Sequence, residues 1–294
     1  MERLVRQISV AGLLLLVLVA LPAAVTAQTL PTPKSFVSNL DVRCYKMSTQ
    51  PPLGINLRLD HLNPYFVQIG LPFEQVNVRE PQDLCVPVYK ETIVPPPDAL
   101  PYLRYVDWKC YGITGPSLDL PLHIDHLNPV IVNLLGPSDD IIVREPQQIC
   151  VPVAKNTVTP PASVAQLVNW LDVKCYRVES GQHVGTQPIN LTHLNPLFST
   201  LPTETANFAG LPPNQLCVPV SKNKQTPPDT VLPIIKYSDV LCYPIRGLPL
   251  NKQLTLTHLN PVLRGMGLPP ENVLVTETDK LCVPVAKNGF FPPG

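Results

Sequence analysis

The sequence has no net charge and few charged residues. Lysine and arginine together number 22, as do aspartate and glutamate, and charged residues make up 15% of the 294 positions. Without a basic field the chain cannot gather phosphate groups or anionic lipid, so we expect no nucleic-acid partner. The low charge and the 45% hydrophobic content predict packed cores rather than a disordered chain.

Common signatures of catalysis and metal binding are also missing. The sequence contains no G-x-S-x-G, no H-E-x-x-H and no phosphate-binding glycine loop. Its eight cysteines include no C-x-x-C pair, which disfavours a zinc site. We therefore expect a protein that is not an enzyme, with no catalytic residue, no metal and no cofactor.

Proline is abundant, with 38 residues, and this disfavours long helices because proline removes a backbone donor and clashes with the preceding turn. Short apolar–polar alternations, such as Ile55, Leu57 and Leu59, predict strands instead. The proline of each Cys-Val-Pro-Val segment indicates an edge strand or a bulge.

The N-terminal segment 1–27 predicts a secretory signal peptide. Arg3 and Arg6 precede an apolar stretch from Val10 to Leu21, and a small-x-small pattern ends at Ala27, where we expect cleavage. An uncleaved membrane anchor is the alternative, but the apolar stretch is near the lower limit for a span. The pattern predicts a secreted, extracellular or periplasmic protein without a membrane span in the mature chain.

The rest of the chain contains four copies of one motif set. Each copy has Asp-x-x-Cys-Tyr, then His-Leu-Asn-Pro, then Cys-Val-Pro-Val-x-Lys, and the sets recur at a nearly constant period. They begin at Asp41, Asp107, Asp172 and Asp239. After a linker at 28–37, we assign the copies to residues 38–94, 103–159, 168–226 and 235–290. Proline-rich linkers separate them.

Spacing within the copies divides framework from loop. The distance from the motif histidine to the second cysteine is the same in every copy, whereas the distance from the first cysteine to the histidine varies. Loops tolerate insertions and frameworks do not. The segments after Cys-Tyr are therefore the best candidates for a binding surface: residues 46–54, 112–119, 177–188 and 244–251. Copy three differs in composition at 206–213, where we expect a strand to be distorted or lost.

These patterns predict an all-β protein of four tandem, disulfide-closed modules, each sandwich- or barrel-like. Pairing within copies gives Cys44–Cys85, Cys110–Cys150, Cys175–Cys217 and Cys242–Cys282. The staggered alternative begins with Cys85–Cys110 and would strand Cys44 and Cys282 at opposite ends of the chain. Closing a loop of about 40 residues stabilises a small module by roughly 4 kcal/mol.

Four repeated polar side chains are candidates for chemistry, and each has a structural interpretation. A single histidine per copy, at positions 61, 126, 193 and 258, is too few for a closed zinc site and fits a turn. The tyrosines after the first cysteines could form a row that stacks on sugars, or could cover an apolar layer. We interpret the motif lysines as solvated strand ends and the aspartates before each first cysteine as turn residues.

The flanking cysteine motifs resemble a family of uncharacterised secreted bacterial repeat domains that read C-Y-K … L-C-x-P-V-x-K. The resemblance runs from Asp41 through all four copies, although His-Leu-Asn-Pro stands where that family usually has Asp-Gln-Phe. It implies bacterial origin and export, and it implies no activity.

Three functions remain open. The first is a secreted or cell-surface, non-catalytic repeat protein, acting as a structural scaffold or a protein-interaction array, with an unknown extracellular protein or glycan as partner. The second is carbohydrate binding through the tyrosine row, which requires exposed tyrosines. The third is a hydrolase with a site between modules, which requires non-repeated residues such as His123, His183 and Glu204 to converge.

Overall fold

The structure is a computed structural model that describes residues 29–182 and 184–294. The predicted signal peptide and His183 lie outside the described residues. Within them, no helix has the length and apolar character needed to cross a membrane.

The described residues form short helices and many strands, and their bounds follow. Copy one contains β1 (Val42–Met47), β2 (Ile55–His61), β3 (Glu74–Val78) and β4 (Pro81–Lys90). Copy two contains β5 (Trp108–Gly112), β6 (Leu120–His126) and β7 (Ser138–Lys155). Copy three contains β8 (Val173–Ser180), β9 (Pro188–His193), β10 (Glu204–Phe208) and β11 (Gln215–Lys222). Copy four contains β12 (Val240–Arg246), β13 (Lys252–His258) and β14 (Glu271–Lys287). The α-helices are α1 (Pro33–Val37), α2 (Pro64–Gln68), α3 (Leu100–Leu103), α4 (Pro129–Leu135), α5 (Ala162–Val168), α6 (Leu232–Ile235) and α7 (Pro261–Gly265).

Eight of the strands form a closed antiparallel ring, which we call the central ring. Each copy contributes its Cys-Tyr strand and its Cys-Val-Pro-Val strand. The order is β1, β4, β5, β7, β8, β11, β12, β14 and back to β1. The all-β prediction of four disulfide-closed modules is therefore confirmed, and the modules share one sheet.

The second structural unit of each copy is a hairpin that reaches across the ring. In copy one, β2 pairs with β3 on one side and with the end of β11, from copy three, on the other. In return, β9 of copy three pairs with the end of β4 in copy one. The hairpins of copies two and four exchange in the same way through β6 and β13. The copies thus interlock in diagonal pairs and are not separate beads.

The proline-rich segments that precede the copies carry helices that close one end of the ring. Phe36 of α1, Tyr102 of α3, Leu167 of α5 and Ile235 of α6 are buried in one apolar cluster with the cysteines. Proline occupies the first turn of α1, α3 and α6, where its missing N–H has no helical partner to lose. We call this the helical end and the opposite side the open end.

The proline of Cys-Val-Pro-Val lies where its strand changes neighbour. In β4, Pro87 pairs with Val42 of β1, while the pairing with β5 ends at Cys85. From Val88 onward the neighbour is β9. Proline therefore occupies a position that has a partner strand on one side, as the sequence predicted.

Copy three keeps the strand that we expected to be distorted or lost. β10 forms over Glu204–Phe208 and pairs with β9. The difference comes after it: the chain leaves the sheet before β11, whereas the equivalent segments of copies two and four run on as the single long strands β7 and β14. The altered composition at 206–213 breaks the connection, and the strand itself survives.

Candidate functional site

The four disulfides connect Cys44–Cys85, Cys110–Cys150, Cys175–Cys217 and Cys242–Cys282, which confirms the pairing within copies. Each bond joins residues directly opposite each other on the two ring strands of one copy. All eight cysteines are buried inside the central ring.

The eight cysteines form a second, smaller ring. Between copies, the nonbonded Sγ–Sγ distances are 3.8 Å for Cys85 and Cys110 and 3.9 Å for Cys44 and Cys282. The staggered alternative was disfavoured because it would strand Cys44 and Cys282 far apart, and that reason is wrong. Closure of the strand ring brings the first and last copies into contact.

The motif lysines are buried, so their interpretation as solvated strand ends is wrong. Each is at most 1% exposed and forms an ion pair with the aspartate that precedes the first cysteine of its own copy. The pairs are Lys90–Asp41, Lys155–Asp107, Lys222–Asp172 and Lys287–Asp239. Burial raises the pKa of Asp107 to about 6 and lowers the pKa of Lys155, and the ion pair opposes both shifts.

The His-Leu-Asn-Pro motif connects copies through three contacts, made by its asparagine side chain, its leucine N–H and its histidine side chain. Asn195 accepts the N–H of Leu197 at the start of a 3₁₀ turn, Pro196–Phe198, and donates to Asp107 of copy two at 2.6 Å. The N–H of Leu194 donates to the carbonyl of Pro87 in copy one. The other copies repeat this arrangement with Asn63, Asn128 and Asn260.

The third contact is a hydrogen bond between each motif histidine and the tyrosine of the diagonally opposite copy. The distances from Nε2 to the hydroxyl oxygen run from 2.8 to 3.2 Å. The pairs are His61–Tyr176, His126–Tyr243, His193–Tyr45 and His258–Tyr111. The repeated histidine therefore joins two copies, and this is a structural role.

Neighbouring groups set which ring nitrogen of the histidine carries the proton. Tyr176 donates its O–H to the carboxylate of Glu74 at 3.1 Å, so its oxygen accepts the N–H of His61. His126 instead donates from Nδ1 to the carbonyl of Gly136 at 2.9 Å, so its Nε2 accepts from Tyr243. Both rings are neutral at pH 7, because burial lowers the histidine pKa, to about 3 for His61.

The acidic residue in this network occupies a repeated position that we did not identify in the sequence, and our description of Glu204 as non-repeated is wrong. Each hairpin places one carboxylate early in its second half: Glu74, Asp139, Glu204 and Glu271. Glu74 pairs with Lys174, Glu271 with Lys109 and Glu204 with Arg43. The signal was a carboxylate that follows the motif histidine at one fixed spacing in three copies and slightly sooner in copy three.

Among the described residues, which do not include His183, the structure does not bring together the residues of the two alternative functions. The four tyrosines are at most 1% exposed, so they present no row for stacking on sugars. His123 contacts Asp140 on the surface of the β6–β7 hairpin. Glu204 binds Arg43 in a different depression, beside Tyr45 and His193.

The open end of the ring holds the cavity that all four copies line, which we call the axial mouth. Its volume is about 360 Å³. Two tiers of polar side chains surround it, both contributed by the dipeptide before the Leu-Cys or Ile-Cys of each copy. The outer tier is Gln82, Gln147, Asn214 and Asp279. The inner tier is Gln148, Gln215 and Lys280, which line the cavity, and Asp83, which is fully buried behind the lining.

One side of the mouth is a square of alternating charges. Lys46 lies 3.1 Å from both Asp83 and Asp279, and Lys280 lies 3.0 Å and 3.2 Å from the same two carboxylates. Although burial raises the pKa of Asp83, Lys280, Lys46 and the amide of Gln148 hold it below its usual range. The charges of the two carboxylates and the two ammonium groups therefore cancel.

The other side of the mouth is built from amides. Gln148 donates to Asp83 at 2.7 Å and to Gln82 at 2.6 Å, which connects the amides to the charged square. Gln215 donates to Gln147 at 2.7 Å. Its own Oε1 is buried and has no hydrogen-bond partner among the described residues.

The sequence contained a signal for the mouth. Four copies of one framework keep a polar dipeptide at the same place but change its chemistry from Gln-Asp to Gln-Gln, Asn-Gln and Asp-Lys. Because their residue types differ, these positions do not stand out among the repeated motifs. In a closed ring with approximate fourfold symmetry, they meet at the axis.

No family model, curated protein or solved structure matches this chain. Within the described residues, no group of three or more His, Cys, Asp or Glu side chains could hold a metal ion.

Proposed function

We propose that this protein is an exported, non-catalytic interaction protein: a rigid scaffold whose contact surface is the open end of the central ring. That surface comprises the axial mouth and the four variable loops around it. The four disulfides fit an oxidising, extracellular environment, and the N-terminal pattern and the resemblance to secreted bacterial repeat domains support export.

The observation that carries the proposal is that the loops of unequal length after Cys-Tyr and the polar dipeptides of changing chemistry gather at one end. The residue that follows each Cys-Tyr pairs directly with the inner tier of the mouth: Lys46 with Asp83, Gly112 with Gln148, Arg177 with Gln215 and Pro244 with Lys280. The loops of unequal length therefore leave the ring at the rim of the mouth. Function commonly lies on variable loops held by a rigid framework.

The chemistry of the mouth supports binding rather than catalysis. Its carboxylates and ammonium groups neutralise one another. The described residues that line it include no histidine, serine or free thiol to act as base or nucleophile. Amide groups, which dominate the remainder, neither titrate nor attack, but they hydrogen-bond in both senses.

A loop exchange tests the proposal. The mature chain is probed against arrays of extracellular proteins and glycans, alongside a variant in which residues 48–54 are replaced by residues 114–119. This exchange leaves Lys46 and both tiers of the mouth unchanged. We expect array binding to be lost on exchange and retained in Val67→Ser, a control on the exposed surface of α2.

Thermal unfolding and disulfide mapping establish that the exchanged variant is folded. Binding that survives the exchange contradicts the proposal, as does turnover of a bound molecule.

A further inference from the structure

The buried amide oxygen of Gln215 indicates that the axial mouth binds a ligand. The Gln215 side chain is 6% exposed, lines the axial mouth and uses its N–H to bind Gln147, while its Oε1 has no partner among the described residues. A buried acceptor without a hydrogen bond costs about 1–3 kcal/mol, and native proteins rarely keep one. A hydroxyl or N–H donor from a molecule in the mouth would satisfy it.

The charged square indicates that this molecule carries no net charge. Lys46 and Lys280 each contact both Asp83 and Asp279 at 3.0–3.2 Å, so neither sign is in excess. An ionic ligand would have to break these pairs to gain a counter-ion. The next charged groups at the rim, Arg177 and Glu145, also pair with each other, at 2.6 Å.

The remaining groups match hydroxyls. Gln82, Gln147 and Asn214 lie on the outer tier, and each amide offers both donors and an acceptor. A hydroxyl group also donates and accepts, so a molecule with several hydroxyls can pair with this arc in many ways. Ile113 and Pro146 add an apolar part to the lining, suited to a C–H face.

From this arrangement we propose that the axial mouth binds a small, uncharged, polyhydroxylated molecule, such as a neutral mono- or disaccharide. The volume of about 360 Å³ lies at the lower end of the about 300–1,000 Å³ typical of ligand sites. The ligand meets amides and one buried oxygen, and the four buried tyrosines take no part. This inference rests on the proposed function, because it specifies what the mouth of the contact surface accepts.

Calorimetry and saturation-transfer NMR test it with glucose, galactose, mannose and their disaccharides, with glucuronate and glucosamine as charged probes. We expect binding of at least one neutral sugar and none of the charged probes. The affinity should be the same at low and at high salt, because no net charge is neutralised on binding.

Gln215→Leu keeps the size of the side chain and removes the acceptor. We expect it to weaken sugar binding by about two- to tenfold, the value of one hydrogen bond. Gln75→Leu, at an exposed amide on β3, is the matched control and should bind as the unaltered chain does. Gln215→Leu removes the unpaired oxygen but also the donor to Gln147, so thermal unfolding of both variants establishes that they are folded.

Three results would overturn the inference: no neutral sugar bound at millimolar concentration, tighter and salt-dependent binding of a charged probe, or equal affinity in Gln215→Leu and Gln75→Leu. Array binding that depends on the exchanged loop, without sugar binding, would refute this inference and leave the proposed function standing. Sugar binding that depends on Gln215, with array binding that ignores the loop, would refute the proposed contact surface.

Discussion

The hydroxyl of Tyr176 lies 3.2 Å from Nε2 of His61, although the two residues are 115 positions apart and belong to copies on opposite sides of the ring. Both side chains are buried, and the same tyrosine also donates to Glu74. This contact joins the framework of copy three to the hairpin of copy one. The copies are therefore parts of one cooperative body.

Tyr176→Phe tests this interlock. The substitution keeps the aromatic ring of residue 176 and removes its hydroxyl. Both His61 and Glu74 then lose their shared hydrogen-bond partner in a buried site. We expect the free energy of unfolding to fall by about 1–3 kcal/mol, measured by urea titration of the oxidised protein.

Tyr65→Phe is the matched control, at a half-buried tyrosine that packs through its ring against Phe66 and Phe290. It should change stability by less than about 0.5 kcal/mol. Equal effects of the two substitutions would show that the hydroxyl of Tyr176 does not connect the copies.

The framework of each copy was predictable from the sequence, but the closure of the four copies into one ring of strands was not. The fixed spacing from the motif histidine to the second cysteine identified the invariant block. The pairing of the cysteines within copies was predicted correctly, but the reason for rejecting the staggered pairing fails in a closed ring. Nothing local indicates that His61 contacts Tyr176 or that Cys44 adjoins Cys282, because each contact joins positions far apart in the chain. Lys155 looked exposed because its partner, Asp107, lies near the opposite end of the same copy.

The buried histidines predict a loss of stability in acid. The pKa of His61 is lowered from 6.5 to about 3, chiefly by burial and also by Lys174 and Lys287. Below pH 6.5 the unfolded chain binds a proton that the folded chain does not, so this contribution is lost progressively as the pH falls toward 3. Urea titrations at pH 7.5, 6.5, 5.5 and 5.0 should show His61→Gln losing less stability over this range than the unaltered protein.

His123→Gln gives a control of opposite sign. The hydrogen bond that His123 donates to Asp140 raises the pKa of the exposed His123 above 6.5, so the folded chain holds its proton more tightly than the unfolded chain does. The His123→Gln substitution should therefore leave the loss of stability in acid unchanged or make it slightly steeper. A parallel pH dependence for His61→Gln and the unaltered protein would show that folding does not lower the pKa of His61.

Lys155→Met tests the buried ion pairs. The substitution leaves the buried Asp107 without its counter-ion, with only Asn195 as a side-chain donor among the described residues. The pKa of Asp107, about 6 in the ion pair, rises further because the ammonium group that lowers it is gone. Removing one partner of a buried pair costs about 3–5 kcal/mol, and we expect a loss of that size. Lys252→Met, at an exposed position on β13, should have little effect.

The double variant Lys155→Met with Asp107→Asn should recover part of the loss, because the uncompensated charge is gone. If Lys155→Met and Lys252→Met cost the same small amount, the motif lysine is solvated after all.

The ring of cysteines predicts which disulfides form when one cysteine loses its partner. In Cys85→Ala, Cys44 loses its partner and remains 3.9 Å from Cys282. Its thiolate can attack Cys282, forming Cys44–Cys282 and releasing the thiolate of Cys242. Cys242 lies 3.9 Å from Cys217, and Cys175, released next, lies 3.7 Å from Cys150. Each step exchanges one disulfide for another without a net oxidation, and the last step leaves Cys110 free beside the alanine that replaces Cys85.

Peptide mapping of Cys85→Ala after incubation at pH 8 should therefore find the bonds between copies, Cys44–Cys282, Cys217–Cys242 and Cys150–Cys175, with Cys110 as the free thiol. The double variant Cys44→Ala with Cys85→Ala has no thiolate to start the exchange and should keep its three bonds within copies. A single variant that retains those bonds, with Cys44 free, would show that the packed interior holds the sulfur atoms too rigidly for exchange. The ring geometry then sets only the neighbours of each cysteine, and the order of oxidation during folding sets its partner.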